Sequence, residues 1–217
     1  MIRMQEVTFG YRKGSPVLSD VSFHIGEGDR VGICGPNGSG KTTLLQMMVG
    51  LLKAQRGEVV IFGKRRKEEA DFLEVRRKVG FVFQDPDDQL FCPTVKDDVA
   101  FGPLNLGFTV KEAERIVEGT LEDLGLSHLK DSITYRLSGG EKRLVSLATV
   151  MAMQPRVVLL DEPTAGLDPD TSLLLSRFLR EHFSTYLIVS HDREFLQSTV
   201  DIVYRMEKGQ IYRSQHV

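Results

Sequence analysis

Residues 30–48 read RVGICGPNGSGKTTLLQMM, and this stretch decides the fold. The apolar start predicts a strand and the end predicts a helix, and residues 35–42 between them match G-x-x-x-x-G-K-[ST] in full. We expect the amide groups from Gly38 to Lys41 to surround a β-phosphate, Lys41 to neutralise β/γ charge, and the Thr42 hydroxyl to ligate Mg²⁺. The alternative is a purely structural glycine turn, but the strand before it and the helix after it favour a phosphate loop.

A second glycine turn, LSGGE, occupies residues 137–141. Two adjacent glycines allow several amide N–H groups to point the same way. Residues 142–153 have the apolar spacing of an amphipathic helix. Unpaired N–H groups and the positive end of the helix dipole meet at a helix start, so this turn predicts a second anion site. One chain thus carries two candidate phosphate loops.

The segment VVLLDE, residues 157–162, predicts a buried strand that ends in two carboxylates. Charge at the end of an apolar strand is costly unless it meets a cation or takes part in chemistry. We expect Asp161 to join the Mg²⁺ shell and Glu162 to accept a proton from an attacking water. Strands that end in two acids are common, so this interpretation depends on the phosphate loop upstream.

Composition limits the class of protein. The 217 residues are 41% hydrophobic with a net charge of −2, which argues against a nucleic-acid binder. Cys34 and Cys92 are too few for a disulfide framework or a zinc site and predict free thiols in a reducing cytoplasm. No apolar run approaches the ~20 residues that span a bilayer, and no secretory pattern opens the chain, so a membrane role needs a partner. The basic run KRRK at 64–67, beside two glutamates, predicts a solvated turn.

Strand and helix patterns alternate at both ends of the chain, and a mostly helical block from about 85 to 153 lies between them. This order predicts an α/β fold in which a parallel sheet carries a helical insertion. Strands are expected near 2–9, 17–25, 30–34, 58–62, 79–83, 156–160, 185–190 and 202–212, and helices near 41–50, 109–124, 170–183 and 192–199.

Three further residues, Tyr11, Gln84 and His191, would each be structural more often than functional if considered alone. With both glycine turns and the acidic strand end in this order, however, the chain resembles an ATP-binding-cassette (ABC) transporter ATPase over essentially its whole length. The resemblance implies a P-loop NTPase (RecA-like) core with an N-terminal antiparallel β subdomain and an inserted α-helical subdomain. It implies a single domain over 1–217, with the core at about 1–84 and 155–217 and the helical subdomain at about 85–154.

The same resemblance implies ATP and Mg²⁺ as ligands. Tyr11 would stack on the adenine, Gln84 would sense Mg²⁺ and the attacking water, and His191 would contact the γ-phosphate. Ser138 and Gly140 would reach ATP held by the partner's Lys41, and Asp168 would contact the opposite subunit, so a head-to-tail dimer would close two shared sites. The implied catalytic residues are Glu162, His191, Gln84 and Lys41, the nucleotide-binding residues are Tyr11, Gly35, Asn37, Gly38, Ser39, Gly40, Lys41, Thr42, Thr43, Ser138, Gly139, Gly140, Glu141 and Asp168, and the metal contacts are Thr42, Gln84 and, through water, Asp161. Glu141 stands where many members carry glutamine.

Residues 85–106, DPDDQLFCPTVKDDVAFGPLNL, narrow the resemblance to energy-coupling-factor ATPases, most similar to those of cobalt/nickel importers. The segment mixes acids expected to be exposed with apolar anchors, a surface suited to an apolar, arginine-bearing coupling helix of a membrane subunit. A solvated loop with ordinary core contacts is the alternative. The acids are Asp87, Asp88, Asp97 and Asp98, and the anchors are Leu90, Phe91, Val95 and Phe101.

The implied protein is the ATPase subunit of an importer, peripheral on the cytoplasmic face of the cell membrane. Its implied partners are a second copy or a related ATPase subunit, an integral-membrane coupling subunit and a substrate-binding membrane subunit. Co²⁺ or Ni²⁺ is the implied cargo, held by other subunits because the five histidines are scattered along this chain. An importer of a vitamin such as biotin and a soluble ABC ATPase without a transport role are the alternatives.

Overall fold

The computed structural model describes residues 1–12 and 14–214, whose strands form two sheets. The strands are β1 (Ile2–Phe9), β2 (Leu18–Ile25), β3 (Arg30–Cys34), β4 (Arg56–Ile61), β5 (Lys64–Arg66), β6 (Val79–Val82), β7 (Val157–Asp161), β8 (Tyr186–Val189), β9 (Ile202–Glu207) and β10 (Gln210–Arg213). The smaller sheet is antiparallel, with the order β2-β1-β4-β5. Burial largely alternates along β2, so one face of this sheet packs on the core and the other meets solvent.

The larger sheet has the order β10-β9-β3-β8-β7-β6 and is parallel from β9 to β6. β10 pairs antiparallel to β9 at one edge. Every residue of β7 and β8 is buried, as in central parallel strands that are covered on both faces. Because the strands are parallel, the carboxyl ends of β3, β6, β7 and β8 share one edge, and a predicted site residue stands at or just beyond each end.

Helices cover the sheets and form a separate block between β6 and β7. They are α1 (Lys41–Met48), α2 (Glu69–Arg76), α3 (Val95–Leu106), α4 (Val110–Asp123), α5 (Gly139–Met151), α6 (Pro169–His182) and α7 (Arg193–Thr199). Thr94, Thr109 and Ser138 start α3, α4 and α5, each accepting a hydrogen bond from an amide three residues on. None of the helices described here is long and apolar enough to cross a membrane.

The helical block has an apolar core of its own. α3, α4 and α5 enclose a cluster that includes Val99, Val117, Leu121, Val145 and Ala148. The block interrupts a parallel α/β core whose N-terminal sheet is antiparallel, so the predicted fold class is confirmed. The subdomain limits near 84 and 155 stay a prediction.

The basic run at 64–67 is not the predicted solvated turn. Most of it forms β5, which pairs with β4, and Arg66 is buried. The Arg66 guanidinium donates to the carbonyl oxygens of Ile61 (3.2 and 3.1 Å) and Asp71 (2.8 Å) and lies 3.2 Å from the Glu74 carboxylate. The charge pattern could not indicate this, because only the folded hairpin and α2 bring those acceptors together.

Replacing Arg66 by methionine is expected to lower the free energy of unfolding by about 2 to 3 kcal/mol. Methionine keeps an unbranched apolar stem but leaves the carbonyls of Ile61 and Asp71 without their buried donor. Urea unfolding followed by circular dichroism measures the change. Arg65→Met is the matched control, because Arg65 is exposed and pairs with Glu58 at the surface. Equal unfolding midpoints for the two variants would contradict the structural role of Arg66.

Candidate functional site

The phosphate loop, residues 35–42, joins the end of β3 to α1. Gly35, Gly38 and Gly40 have φ values of 151°, 75° and 105°, which L side chains rarely adopt. A Cβ on Gly35 would lie 2.1 Å from the carbonyl oxygen of Met206, so the loop passes β9 too closely for a side chain. The glycines therefore shape the loop in the way the sequence predicts.

Lys41 is the buried cation of the loop. Its Nζ donates to the carbonyl oxygens of Gly35 (2.8 Å) and Pro36 (3.1 Å), which folds the ammonium over the loop. The Ser39 hydroxyl is buried without a hydrogen-bond partner, and Asn37 is exposed at the tip. A buried ammonium held by neutral carbonyls, beside a hydroxyl without a partner, is suited to an anion.

Tyr11 stands beside the phosphate loop. Its hydroxyl lies 3.2 Å from the Thr43 hydroxyl oxygen in α1, and its ring packs edge-on against Phe9 with centroids 5.0 Å apart. The side chain is 62% exposed. A tethered aromatic ring exposed next to a phosphate loop fits the predicted stacking on a base.

Thr42, Gln84 and Asp161 line one cleft of about 570 Å³, together with Arg143. The three predicted metal contacts, which come from α1 and from the ends of β6 and β7, thus lie in the same cleft. Both carboxylate oxygens of Asp161 are buried and lack a hydrogen-bond partner. Burial raises the pKa of Asp161 above its usual range, and the neighbouring Glu162 carboxylate adds to that shift. The Lys41 and Arg143 cations offset part of it.

These residues fit Mg²⁺. The ion prefers oxygen ligands and usually keeps only one or two protein contacts beside water and substrate phosphates. In residues 1–12 and 14–214, no group of three or more His, Cys, Asp or Glu side chains is placed to hold a metal ion. An unpaired buried carboxylate with a hydroxyl and an amide in the same cleft is the sparse oxygen set that Mg²⁺ takes beside a nucleotide.

Glu162 and His191 meet beyond the ends of β7 and β8. The Glu162 Oε2 atom lies 2.9 Å from His191 Nδ1 and accepts from the His191 amide at 3.4 Å. Glu162 is buried, and its backbone has a φ of 49°, a strained value for a non-glycine residue. Its amide donates to the carbonyl of Val189 at 2.8 Å, which holds this geometry. A fixed, buried carboxylate at the strand edge can act as a general base.

Ser138 and Glu141 form a closed pair at the start of α5. Glu141 Oε2 accepts from the Ser138 amide (2.8 Å) and hydroxyl (2.7 Å), and the Glu141 amide donates to the Ser138 hydroxyl oxygen (3.3 Å). These bonds hold the pKa of Glu141 below its usual range. The side chain therefore serves here as an acceptor in a helix capping box.

The glycines of this turn are accessible. A Cβ on Gly139 would meet nothing within 4 Å, and one on Gly140 would lie 3.6 Å from Leu167 Cδ2. The turn is not among the residues that line the cleft around Asp161.

Nearby, Asp168 caps α6 by accepting from the Thr171 amide (2.9 Å) and hydroxyl (2.6 Å), bonds that hold the pKa of Asp168 below its usual range. Its contact with a second subunit stays a prediction.

The coupling segment, residues 84–106, differs in part from its predicted surface. Phe91 and Phe101 are 67% and 48% exposed and pack edge to face with centroids 4.8 Å apart. Asp98 is not exposed; it is buried and accepts from the amides of Phe91 and Cys92 and from the Thr134 hydroxyl. The predicted anchors Leu90 and Val95 are likewise core residues. The exposed phenylalanines line an apolar groove of about 240 Å³, whose other walls include Phe81, Phe83, Gln89 and Thr149.

Arg143 is a cleft residue that the sequence analysis missed. It is buried, and its Nη1 donates to the carbonyl oxygen of Phe83 at 3.1 Å. Burial lowers the pKa of Arg143, and the carboxylates of Asp85, Asp161 and Glu162 partly offset that shift. A sequence signal for its burial existed, because position 143 precedes Leu147, an apolar position of this helix, by four residues, the spacing of one helix face.

Comparisons with known proteins find relatives that match most of the chain. The ABC transporter family model matches residues 18–165. The energy-coupling factor transporter ATP-binding protein EcfA of Methanothermobacter thermautotrophicus is 42% identical over 215 residues, covering 97% of this chain and 69% of its own. The structure of cbiO1 from Clostridium perfringens, part of the ABC transporter complex cbiONQ, has a TM-score of 0.86 and 36% identity over 97% of this chain and 86% of its own. The dimeric cassette MJ0796, in a post-hydrolysis state with ADP and Pi, has a TM-score of 0.88 and 28% identity over 99% and 98%.

Proposed function

The chain belongs to the ABC transporter family of ATP-binding proteins, and from this premise we propose that it is the ATPase subunit of an energy-coupling-factor importer for Co²⁺ or Ni²⁺. Membership of the family makes the chain an ATP-binding ATPase. The observation that carries the transport proposal is the apolar groove of the coupling segment, which lies beside the cleft of Asp161. Similarity over nearly the whole chain to EcfA and to cbiO1 supports it.

Two chains would close head to tail around two ATP molecules. Each site would combine Lys41 and Glu162 of one chain with the Ser138 turn of the other. The support is that the turn at 138–141 is accessible and does not line its own chain's cleft, so the amides of Gly139 and Gly140, which the capping pair does not use, are available to a second chain. The similarity to a dimeric cassette points to the same arrangement. A related ATPase subunit could take the place of the second copy.

The chemistry follows from the groups at the strand edge. The Lys41 ammonium would leave its two carbonyls for the β/γ-phosphates, while Tyr11 would stack on the adenine. Glu162 would take a proton from the attacking water, and its contact with His191 would keep the carboxylate oriented. When bound, Mg²⁺ supplies charge neutralisation to the phosphates, with Thr42, Gln84 and Asp161 as its contacts.

The membrane partner would bind at the coupling segment. Phe91 and Phe101 present apolar area to solvent, and Asp88 and Asp97 are exposed acids of the same segment. An apolar helix that carries an arginine fits this combination of groove and charge. The chain would thus be held on the cytoplasmic face of the membrane by an integral-membrane coupling subunit, and a further membrane subunit would bind the cargo.

Transport is tested with the complete complex. The tagged chain is used to capture partners from solubilised membranes of its own cells, and the purified complex is placed in liposomes with ATP sealed inside and the cargo added outside. We expect ATP-dependent uptake of Co²⁺ or Ni²⁺, and none with the Glu162→Gln chain. Uptake of biotin instead would identify a vitamin importer. Capture without any integral-membrane protein would favour a soluble ABC ATPase and contradict the proposal.

Glu141 is expected to weaken dimer closure, because its charge and its bond to the Ser138 hydroxyl both oppose the approach of a phosphate. In a Glu162→Gln background, Glu141→Gln should tighten ATP-dependent self-association on the order of tenfold, measured by sedimentation equilibrium. Glutamine removes the charge and still caps the helix. Glu112→Gln is the matched control, since Glu112 holds the same place in the capping box of α4. Equal association of the two variants would contradict this role of Glu141.

A further inference from the structure

Two side chains form hydrogen bonds with the backbone of Phe83, the residue before Gln84, one with its amide and one with its carbonyl oxygen. Its amide donates to Gln89 Oε1 at 3.1 Å, and its carbonyl oxygen accepts from Arg143 Nη1 at 3.1 Å. Strand β6 ends at Val82, so the sheet ladder does not include this residue. The two side chains replace ladder bonds at the point where the backbone leaves the sheet toward Gln84.

Both side chains are anchored to α5. Arg143 belongs to that helix, and Gln89 Nε2 donates to the Ser146 carbonyl oxygen and to the Thr149 hydroxyl oxygen, at 2.7 Å each. α5 is the helix that begins with the second glycine turn. The element that would reach a partner's ATP therefore also holds the backbone next to Gln84.

The desolvation of the Arg143 guanidinium costs more free energy than a single hydrogen bond to a backbone carbonyl offsets. Its Nε is buried without a hydrogen-bond partner, and the guanidinium is desolvated in a cleft that also contains Asp161. The carboxylates of Asp85, Asp161 and Glu162 offset part of the lowering of its pKa by burial. The Arg143 cation thus lines the cleft of Asp161 and at the same time donates to the backbone just beyond β6.

Phe83 lies in the wall between the apolar groove and the cleft of Asp161. The rings of Phe81 and Phe83 pack 4.5 Å apart and line both the apolar groove and the cleft of Asp161. Gln89 lines the groove and Arg143 lines the cleft. The same backbone segment thus forms part of the wall of both cavities.

We propose that Arg143 and Gln89 form a clamp on Phe83 that positions Gln84 in step with α5. The clamp thereby fixes the position of Gln84 relative to Asp161 in the chain's own cleft. Arg143 and Gln89 are positioning residues in this scheme, because they act through Gln84. The proposal rests on the proposed function in taking Gln84 as a residue of the ATPase site.

The clamp is tested by double-mutant cycles in the full chain. Arg143→Met and Gln89→Leu are each made in the wild-type and in the Gln84→Ala background. In the wild-type background we expect kcat for ATP to fall about tenfold to a hundredfold with little change in KM, because misplacement of one site residue has that cost. In the Gln84→Ala background we expect no further loss, since the residue that the clamp positions is gone.

Matched controls separate positioning from folding. Arg115→Met and Gln197→Leu make the same chemical changes at exposed positions and should leave kcat unchanged. Thermal unfolding shows whether each variant is folded, and the two clamp variants provide independent tests. Equal losses in both backgrounds, or wild-type kcat in the single variants, would overturn the clamp while leaving the ATPase assignment intact. A wild-type chain without ATP turnover would overturn both.

Discussion

Replacement of Glu162 by glutamine is expected to lower ATP turnover by about 10²–10⁴-fold while ATP binding stays intact. Glutamine preserves the shape of the side chain and an oxygen near His191, but it cannot take a proton from water. The phosphate loop is unchanged, so nucleotide should bind and hold the closed dimer. Phosphate release measures turnover, and equilibrium binding of ATP is measured on the same preparation.

Glu194→Gln is the control for the loss of a carboxylate near this edge. Glu194 is exposed in the first turn of α7, three residues after His191, and is not among the residues that line the cleft of Asp161. Its variant should turn over ATP at the wild-type rate. If Glu162→Gln did the same, Glu162 would not be the base.

Replacement of Ser138 by arginine is expected to abolish ATP-dependent dimerisation and turnover while a single chain binds ATP as before. A long cationic side chain at the start of α5 would occupy the position that a γ-phosphate of the second chain must enter. The chain's own phosphate loop lies elsewhere, so its affinity for ATP should not change. Sedimentation in the presence of ATP and equilibrium nucleotide binding measure the two effects.

The loss of a helix cap must be separated from the loss of closure. Ser138→Arg also removes the capping box of α5, which has a typical cost of about 1 kcal/mol. Thr109→Arg removes the equivalent capping box of α4 and should leave dimerisation intact. Loss of ATP binding by the single Ser138→Arg chain would contradict a site that is shared between two chains.

Local patterns made much of the site predictable. The loop at 35–42, the acidic end of β7 and the turn at 138–141 are contiguous motifs, and each needs only its own neighbours to form. Parallel strands then bring their carboxyl ends to one edge, which explains why Gln84 and Asp161 share a cleft and why Glu162 meets His191. The convergence of residues that are far apart in sequence could be predicted because the parallel order of the strands could be predicted.

Other contacts depend on how helices pack and could not be predicted from local patterns. The bonds of Gln89 to α5 span about sixty positions, and Arg143 reaches Phe83, just beyond β6, over a similar separation in sequence. Arg66 looked like a solvated charge because its acceptors are backbone carbonyls, which no residue type encodes. Asp98 was predicted to be exposed for the same reason, since two of its three donors are amides of a neighbouring turn.

The most direct test of a site built from two chains is complementation between two inactive variants. Lys41→Ala should remove ATP from its own loop, and Ser138→Arg should block the turn that the other chain needs. In a mixed dimer, one site has the intact loop of the Ser138→Arg chain and the intact turn of the Lys41→Ala chain. In the other site, the Lys41→Ala loop holds no ATP, so the introduced arginine meets no phosphate. We expect the mixture to hydrolyse ATP well above the sum of the separate chains; a mixture no faster than that sum would contradict the shared site.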